Sequence, residues 1–120
     1  MINTLAHLTL ILRRFAAERD WEQYHAPKNL IMALSVEVAE LMEHFQWLTE
    51  EQSSRLGPEK QQAVREEVAD VLIYLVRLAD RLDIDLLAAA EEKIARNAEK
   101  YPVAVSRGNA DRPGSRQDPS

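Results

Sequence analysis

The sequence predicts an all-α fold, and three observations carry that prediction. Ala, Leu, Glu and Arg dominate the 120 residues and Gly occurs three times, a composition that favours helix and supplies little turn material. Apolar residues recur at helical spacing, and strand-like alternation is hard to find. Pro27, Gly57-Pro58 and Pro102 fall at the breaks between the periodic stretches and leave long runs uninterrupted.

Taken in order, Leu5, Leu8, Leu12 and Phe15 mark the buried stripe of a first helix, with Asn3 or Thr4 as its cap. The segment Asp20-Trp-Glu-Gln-Tyr-His-Ala-Pro-Lys-Asn29 interrupts it, because Pro27 opposes a helix through that point. A second helix is expected from near Asn29 to Trp47 or Leu48. Thr49-Glu-Glu-Gln52 has the composition of a helix start, so a short helix or turn follows. Gly57-Pro58 then opens a third helix, with Pro58 in its first turn, running to about Leu82. Asp85 is a natural N-cap for a fourth helix that ends near Lys100, where Tyr101-Pro102 stops it. The expected organisation is one domain over residues 1–105, built on four main helices. A disordered tail is expected over 106–120, which is rich in Arg, Gly, Asp, Pro and Ser and has no apolar period. A chain this short has little room for an extensive private core, so oligomerisation is expected to complete it.

Composition excludes several functions. A formal net charge of −5 argues against a protein whose business is binding nucleic-acid polymer, though not against a nucleotide ligand. Cysteine is absent, which removes disulfides, thiolate nucleophiles and Cys-based zinc sites. Met1-Ile-Asn-Thr-Leu-Ala-His7 does not have the pattern of a secretory signal. No apolar run approaches the roughly 20 residues of a membrane span. The expected setting is cytoplasmic, with no membrane partner.

The most informative feature is a near-repeat, Glu37-Val-Ala-Glu-Leu-Met42 and Glu67-Val-Ala-Asp-Val-Leu72. Each copy sets two carboxylates at i and i+3, on one side of a helix. At about 100° per residue, Leu30, Ala33, Leu34, Leu41 and His44 all fall within roughly 60° of Glu37. Glu37 therefore lies inside the apolar stripe, with Glu40 at its edge. Ala63, Val64, Val71, Tyr74 and Leu78 surround Glu67 in the same way, and Asp70 takes the place of Glu40. An isolated acid pair at this spacing is usually a solvated face. Two pairs framed by Leu, Val and Ala are not readily explained that way, since burying unpartnered charge is costly. Arg77 or Arg81 could neutralise one or two of these groups, but not easily all four. A divalent cation held by Glu37, Glu40, Glu67 and Asp70 is the simplest resolution.

Ligand type narrows the metal. Carboxylates without Cys favour Mg²⁺, with Mn²⁺ as a substitute. Di-iron bundles need Glu-x-x-His pairs, and His7, His25 and His44 do not supply them. His44, one turn beyond Glu40, could be a ligand, although packing or a substrate contact suits it better. Mg²⁺ retains positions for water and phosphate oxygens, which points toward phosphate chemistry. Lys93, Asn97 and Lys100 share one face of the fourth helix and could meet phosphate charge; lysines near a helix C-terminus also answer the macrodipole alone. Trp21, Tyr24, His25 and Trp47 could stack on a base or merely cap the core. Tyr74 could bond a phosphate or sugar hydroxyl, or orient an acid. The combination supports metal-assisted hydrolysis, with one carboxylate, Glu40 preferred, also orienting or deprotonating the attacking water.

The double motif Glu37-x-x-Glu40 and Glu67-x-x-Asp70 resembles the signature of the all-α nucleoside triphosphate pyrophosphohydrolases, the MazG-like superfamily. Phe15-Ala-Ala-Glu-Arg-Asp-Trp-Glu-Gln-Tyr-His25, Pro27-Lys-Asn-Leu30, Phe45-Gln-Trp47, Asp70-Val-Leu-Ile-Tyr-Leu-Val-Arg-Leu78 and Lys100-Tyr-Pro102 look similar to its dCTP-cleaving members. The likeness covers roughly residues 5–105. It implies hydrolysis between the α- and β-phosphates, giving a monophosphate and pyrophosphate, by a homo-oligomer, either dimer or tetramer. The favoured substrate is dCTP or a modified dCTP, with broad (d)NTP cleavage or a non-enzymatic helical module as alternatives. By the same resemblance, Lys93, Asn97, Lys100 and Tyr101 contact the phosphates, while Trp21, His25, Asn29, Trp47 and Tyr74 shape the base and sugar pocket. A departure follows Lys100-Tyr-Pro102: relatives commonly continue with a polar or basic stretch, whereas this chain runs Arg107-Gly-Asn-Ala-Asp-Arg-Pro-Gly-Ser-Arg-Gln117.

Overall fold

Local capping chemistry starts the helices. Thr4 accepts a hydrogen bond from the His7 N–H at 3.0 Å and opens α1 (Leu5–Glu18). Pro27 and Pro58 occupy the first positions of α2 (Pro27–Glu43) and α4 (Pro58–Arg81), where a missing N–H costs nothing. Between them, Thr49 and Gln52 form a reciprocal capping box at the head of α3 (Glu50–Ser53). Asp85 caps α5 (Leu86–Lys100) through the Ala88 N–H at 3.0 Å. A single turn, α6 (Val103–Ser106), follows Pro102. This computed structural model describes residues 1–110, and among them the regular structure is all helical. The expected tail falls mostly on residues 111–120, outside the described residues.

Two helix ends share one device. Asp20 and Asp83 adopt positive φ (53° and 55°) immediately after the C-caps of α1 and α4. The Trp21 N–H then reaches back to the Ala16 carbonyl at 2.9 Å, and the Ile84 N–H to the Ala79 carbonyl at 2.8 Å. These are Schellman closures with Asp in the position glycine usually fills. The first one turns the chain into the short 3-10 segment Glu22–Tyr24, which delivers His25 to the start of α2.

The described chain divides into two compact units, Met1–Ile84 and a second beginning at Asp85. In the first, α4 is the central element, packed along α2 and against α1. Three pairings fix the direction of α2: His25, just ahead of it, meets Arg77 late in α4; Glu37 meets Glu67; His44, at its end, meets Lys60 early in α4. The two helices are antiparallel. Their near-identical acidic motifs therefore face each other across the interface.

The core is thin. Leu30 and Val76 are the largest fully buried side chains, joined by Ala16 and Ala79. Around it, the expected stripes appear: Ala33, Leu34 and Leu41 of α2, and Ala63, Val64, Val71 and Leu78 of α4, are partly buried. A second apolar face on each helix stays exposed, Ile31, Val38 and Met42 on α2 and Val68, Leu72 and Leu75 on α4.

Two sequence expectations change. Phe15 is exposed instead of completing the α1 stripe, and its ring meets Trp21 edge-on at 5.7 Å. The second helix ends at Glu43, with turns carrying the chain to Trp47, because Phe45 and Gln46 both fold back onto the Met42 carbonyl. No described helix is long and apolar enough to cross a membrane.

Candidate metal centre and active site

The α2–α4 pairing brings three of the four acids together. Glu37, Glu67 and Asp70 each present a carboxylate oxygen within 4.8 Å of the others. Glu37 and Glu67 are partly buried, as their places inside the apolar stripes require, while Asp70 opens to solvent. Glu40, one turn beyond Glu37, is exposed and stands outside this trio.

The electrostatics of the cluster are unresolved by protein groups. Glu37 Oε2 and Glu67 Oε2 are buried and have no hydrogen-bond partner. Among the described residues, none of the four acids takes part in an ion pair. Burial, followed by the neighbouring Glu67, Glu40 and Asp70 carboxylates, pushes the Glu37 carboxyl up to about 7. Orphaned buried oxygens and a strained acid are what a hard divalent cation would satisfy, so the donor set fits such an ion. Among the described residues, neither Arg77 nor Arg81 forms an ion pair with these acids. Arg77 is committed elsewhere: its Nη1 donates to Asp80 at 3.1 Å and its Nε to His25 Nδ1 at 3.3 Å.

The remaining expected site residues are distributed as follows. Trp21 is held by the Schellman closure and is partly exposed beside Phe15, whose ring centroid lies 3.6 Å from the Arg19 guanidinium. Asn29 donates from Nδ2 to the Tyr24 carbonyl at 3.2 Å, tying the 3-10 turn to the head of α2. His25 is partly buried, and Tyr74 sits partly buried one turn beyond Asp70 on α4. Trp47, in the turns after α2, is 86% exposed and makes no core contact of consequence. Lys93, Asn97 and Lys100 lie exposed on α5 of the second unit, with Tyr101 at its C-cap.

A further constellation escaped the sequence. Asp80 accepts from Arg13 through Nε at 2.8 Å and Nη2 at 2.6 Å, and from Arg77 as well. With Glu22 and Arg81, these residues line a cavity of about 250 Å³ between α1, the 3-10 turn and α4. The legible signal was the Arg77-x-x-Asp80 pair on the buried face of α4; the distant partner Arg13 could not be assigned without the tertiary contact.

Comparison with known proteins gives this geometry its relatives. The sequence model of the MazG-like family matches residues 32–112. This chain belongs to the MazG-like family. It is 49% identical over 109 residues to mouse dCTP pyrophosphatase 1 and 45% identical to the human protein, in each case over 89% of this chain. It spans 64% of the length of those relatives. A crystal structure of a pyrophosphatase from Archaeoglobus fulgidus superposes with a TM-score of 0.78 at 41% identity, covering 85% of this chain and 95% of that one. The MazG-like match takes in both acidic motifs on α2 and α4 and the basic residues of α5, but begins after Trp21, His25 and Asn29.

Proposed function

We propose that this chain is a Mg²⁺-dependent nucleoside triphosphate pyrophosphohydrolase. Its substrate is dCTP or a modified dCTP, cut between the α- and β-phosphates. The observation that carries this reading is the cluster of Glu37, Glu67 and Asp70, with two orphaned buried oxygens and no ion pair to any described residue. The names of the relatives, dCTP pyrophosphatase in mammals and pyrophosphatase in an archaeon, support both the bond cleaved and the base.

Glu37, Glu67 and Asp70 would hold the Mg²⁺, with Mn²⁺ as a substitute, and Glu40 would complete the set. The metal would neutralise triphosphate charge and acidify a bound water. Glu40, exposed and outside the trio, is also suited to take the proton of the attacking water. The water oxygen joins the α- or β-phosphorus, the bond from that phosphorus to the α–β bridging oxygen breaks, and the products are the nucleoside monophosphate and pyrophosphate. Lys93, Asn97, Lys100 and Tyr101 are assigned to the phosphates, where ammonium and amide donors offset charge. Trp21, His25, Asn29, Trp47 and Tyr74 are assigned to the nucleoside. Exposed Trp21 and Trp47 offer ring faces for stacking.

The working form is a homo-oligomer, dimer or tetramer. The apolar faces of α2 and α4, left open beside a thin core, support this reading. The setting is cytoplasmic, where free nucleotides are available, and no nucleic-acid polymer or membrane takes part.

The test is a panel of common deoxy- and ribonucleoside triphosphates with Mg²⁺, assayed for pyrophosphate. Release from dCTP in preference to the others is expected. Comparable release from all of them would replace the dCTP reading with broad (d)NTP cleavage, and release from none would overturn the enzyme reading.

A further inference from the structure

Arg77 is 3% exposed, and its side chain sits between two partners. On one side Asp80 holds Nη1 at 3.1 Å, and Asp80 is itself gripped by Arg13 through two nitrogens. On the other side Arg77 Nε lies 3.3 Å from His25 Nδ1. A guanidinium Nε carries its hydrogen at every pH a folded protein meets, so it can only donate. His25 Nδ1 must then be the acceptor and bear no proton.

The backbone around His25 is equally constrained. Its N–H donates to the Glu22 carbonyl at 3.1 Å, and Asn29 ties down the adjacent Tyr24 carbonyl. Among the described residues, the charged groups that act on the ring are Arg77, Arg81 and Glu22. Burial, then Arg77 and Arg81, hold the imidazole below its ordinary value, and Glu22 opposes them more weakly. The ring is neutral, and its single donor is Nε2–H.

We infer that Arg77 is a positioning residue that fixes His25 as a neutral Nε2–H donor for an acceptor atom, a carbonyl oxygen or ring nitrogen, at the nucleoside end of the substrate. This rests on the nucleotide reading above. Arg77 follows Asp70 by seven residues, about 10 Å along α4, with Tyr74 between them. A nucleotide whose phosphates sit at the acids and whose base extends along α4 would bring that end to His25. Arg13 and Asp80 complete the device by holding Arg77, so a bond seen at His25 is set by residues on α1 and α4.

Long-range ¹H–¹⁵N spectra of the full chain at pH 7 test the tautomer without any turnover. His25 is expected neutral with its proton on Nε2; a proton on Nδ1, or on both nitrogens, overturns the inference. Adding α,β-methylene-dCTP with Mg²⁺ should move the Nε2 resonance, and an unmoved resonance overturns the substrate contact. In steady state, Arg77→Met should raise KM for dCTP about fivefold, the loss of roughly one hydrogen bond, with a smaller change in kcat. In a His25→Gln background the same substitution should add nothing; an equal rise there overturns the coupling. If Arg77→Met does not fold, Arg77→Lys, which keeps a charge for Asp80, is put through the same cycle. Absence of pyrophosphate release from the unmodified protein would strike the hydrolase reading alone, while the tautomer spectrum would still decide the Arg77–His25 contact.

Discussion

Helix α4 carries two carboxylate sites ten residues apart that solve the same problem in opposite ways. At Asp80, two arginines supply hydrogen bonds to a largely buried carboxylate, and they hold it below the usual carboxylate range, with Arg13 the main cause. At Glu67 and Asp70, facing Glu37, no cation among the described residues forms an ion pair, and two buried oxygens stay unpartnered. The first arrangement is charge-paired; the second is not balanced by any described residue. That contrast on a single helix supports the proposal that the second cluster serves a ligand.

The largest break in that comparison comes from neutralising one acid at each site. Glu67→Gln should lower pyrophosphate release by at least ~10²-fold while leaving the metal-free protein as stable or more so, because it removes repulsion. Asp80→Asn should do the reverse in stability: it strips the counter-ion from buried Arg77 and should cost about 3 kcal/mol, read from the urea midpoint. If Glu67→Gln instead destabilises the fold and activity survives, the acids are structural and the contrast collapses.

The pH dependence should separate the two sites next. The Glu37 carboxyl, raised to about 7, binds its proton more tightly folded than unfolded. Its contribution to stability is therefore full below the ordinary carboxylate value and is lost as pH rises from there through about 7. Asp80 is lowered, so its contribution is present above the ordinary value and lost as pH falls through the folded one. Denaturation of the metal-free protein should accordingly show stability declining between about pH 5 and 7.5, and Glu37→Gln should remove that decline. Mg²⁺ binding, followed by calorimetry, should release a proton and tighten as pH rises through the same window.

The smallest effect concerns the helix ends that frame both sites. Asp83→Gly relieves a left-handed residue at the close of α4 and should stabilise by up to about 1 kcal/mol in thermal unfolding, with hydrolysis unchanged. Asp20→Gly should behave alike in stability. It should also loosen Trp21, so any rise in KM for dCTP at that position alone would tie the α1 closure to substrate binding.

Much of this was legible in single residues. Thr4, Thr49, Pro58 and Asp85 announce helix starts because capping is a local exchange of hydrogen bonds within a few residues. Pro27 was read as a break and proves to be a first helical position, a difference of two residues that local rules do not resolve. Glu37 and Glu67 could be placed on apolar faces from periodicity alone, since a helix fixes angle from spacing. What that periodicity could not supply was which acids reach across to the opposite helix. Glu40 and Asp70 occupy equivalent places in the repeat, yet Asp70 lies close to both Glu37 and Glu67 while Glu40 adjoins Glu37 and is not part of that trio. Arg77 looked like a counter-ion for the acids because it lies near them in sequence. Distance along α4 and the arrival of Arg13 from α1 gave it Asp80 and His25 instead.

The sequence by itself determined the helical fold, the helix boundaries to within a few residues, and the presence of two acidic pairs, each with its first acid on an apolar face. These follow from interactions spanning one or two turns. Tertiary structure alone decided the antiparallel meeting of α2 and α4 that turns two pairs into one cluster, and the Arg13–Asp80–Arg77–His25 chain joining residues up to 67 positions apart. The reason is physical: a helix repeats its own geometry every turn, but which face meets which is settled only when apolar stripes from distant segments exclude water together.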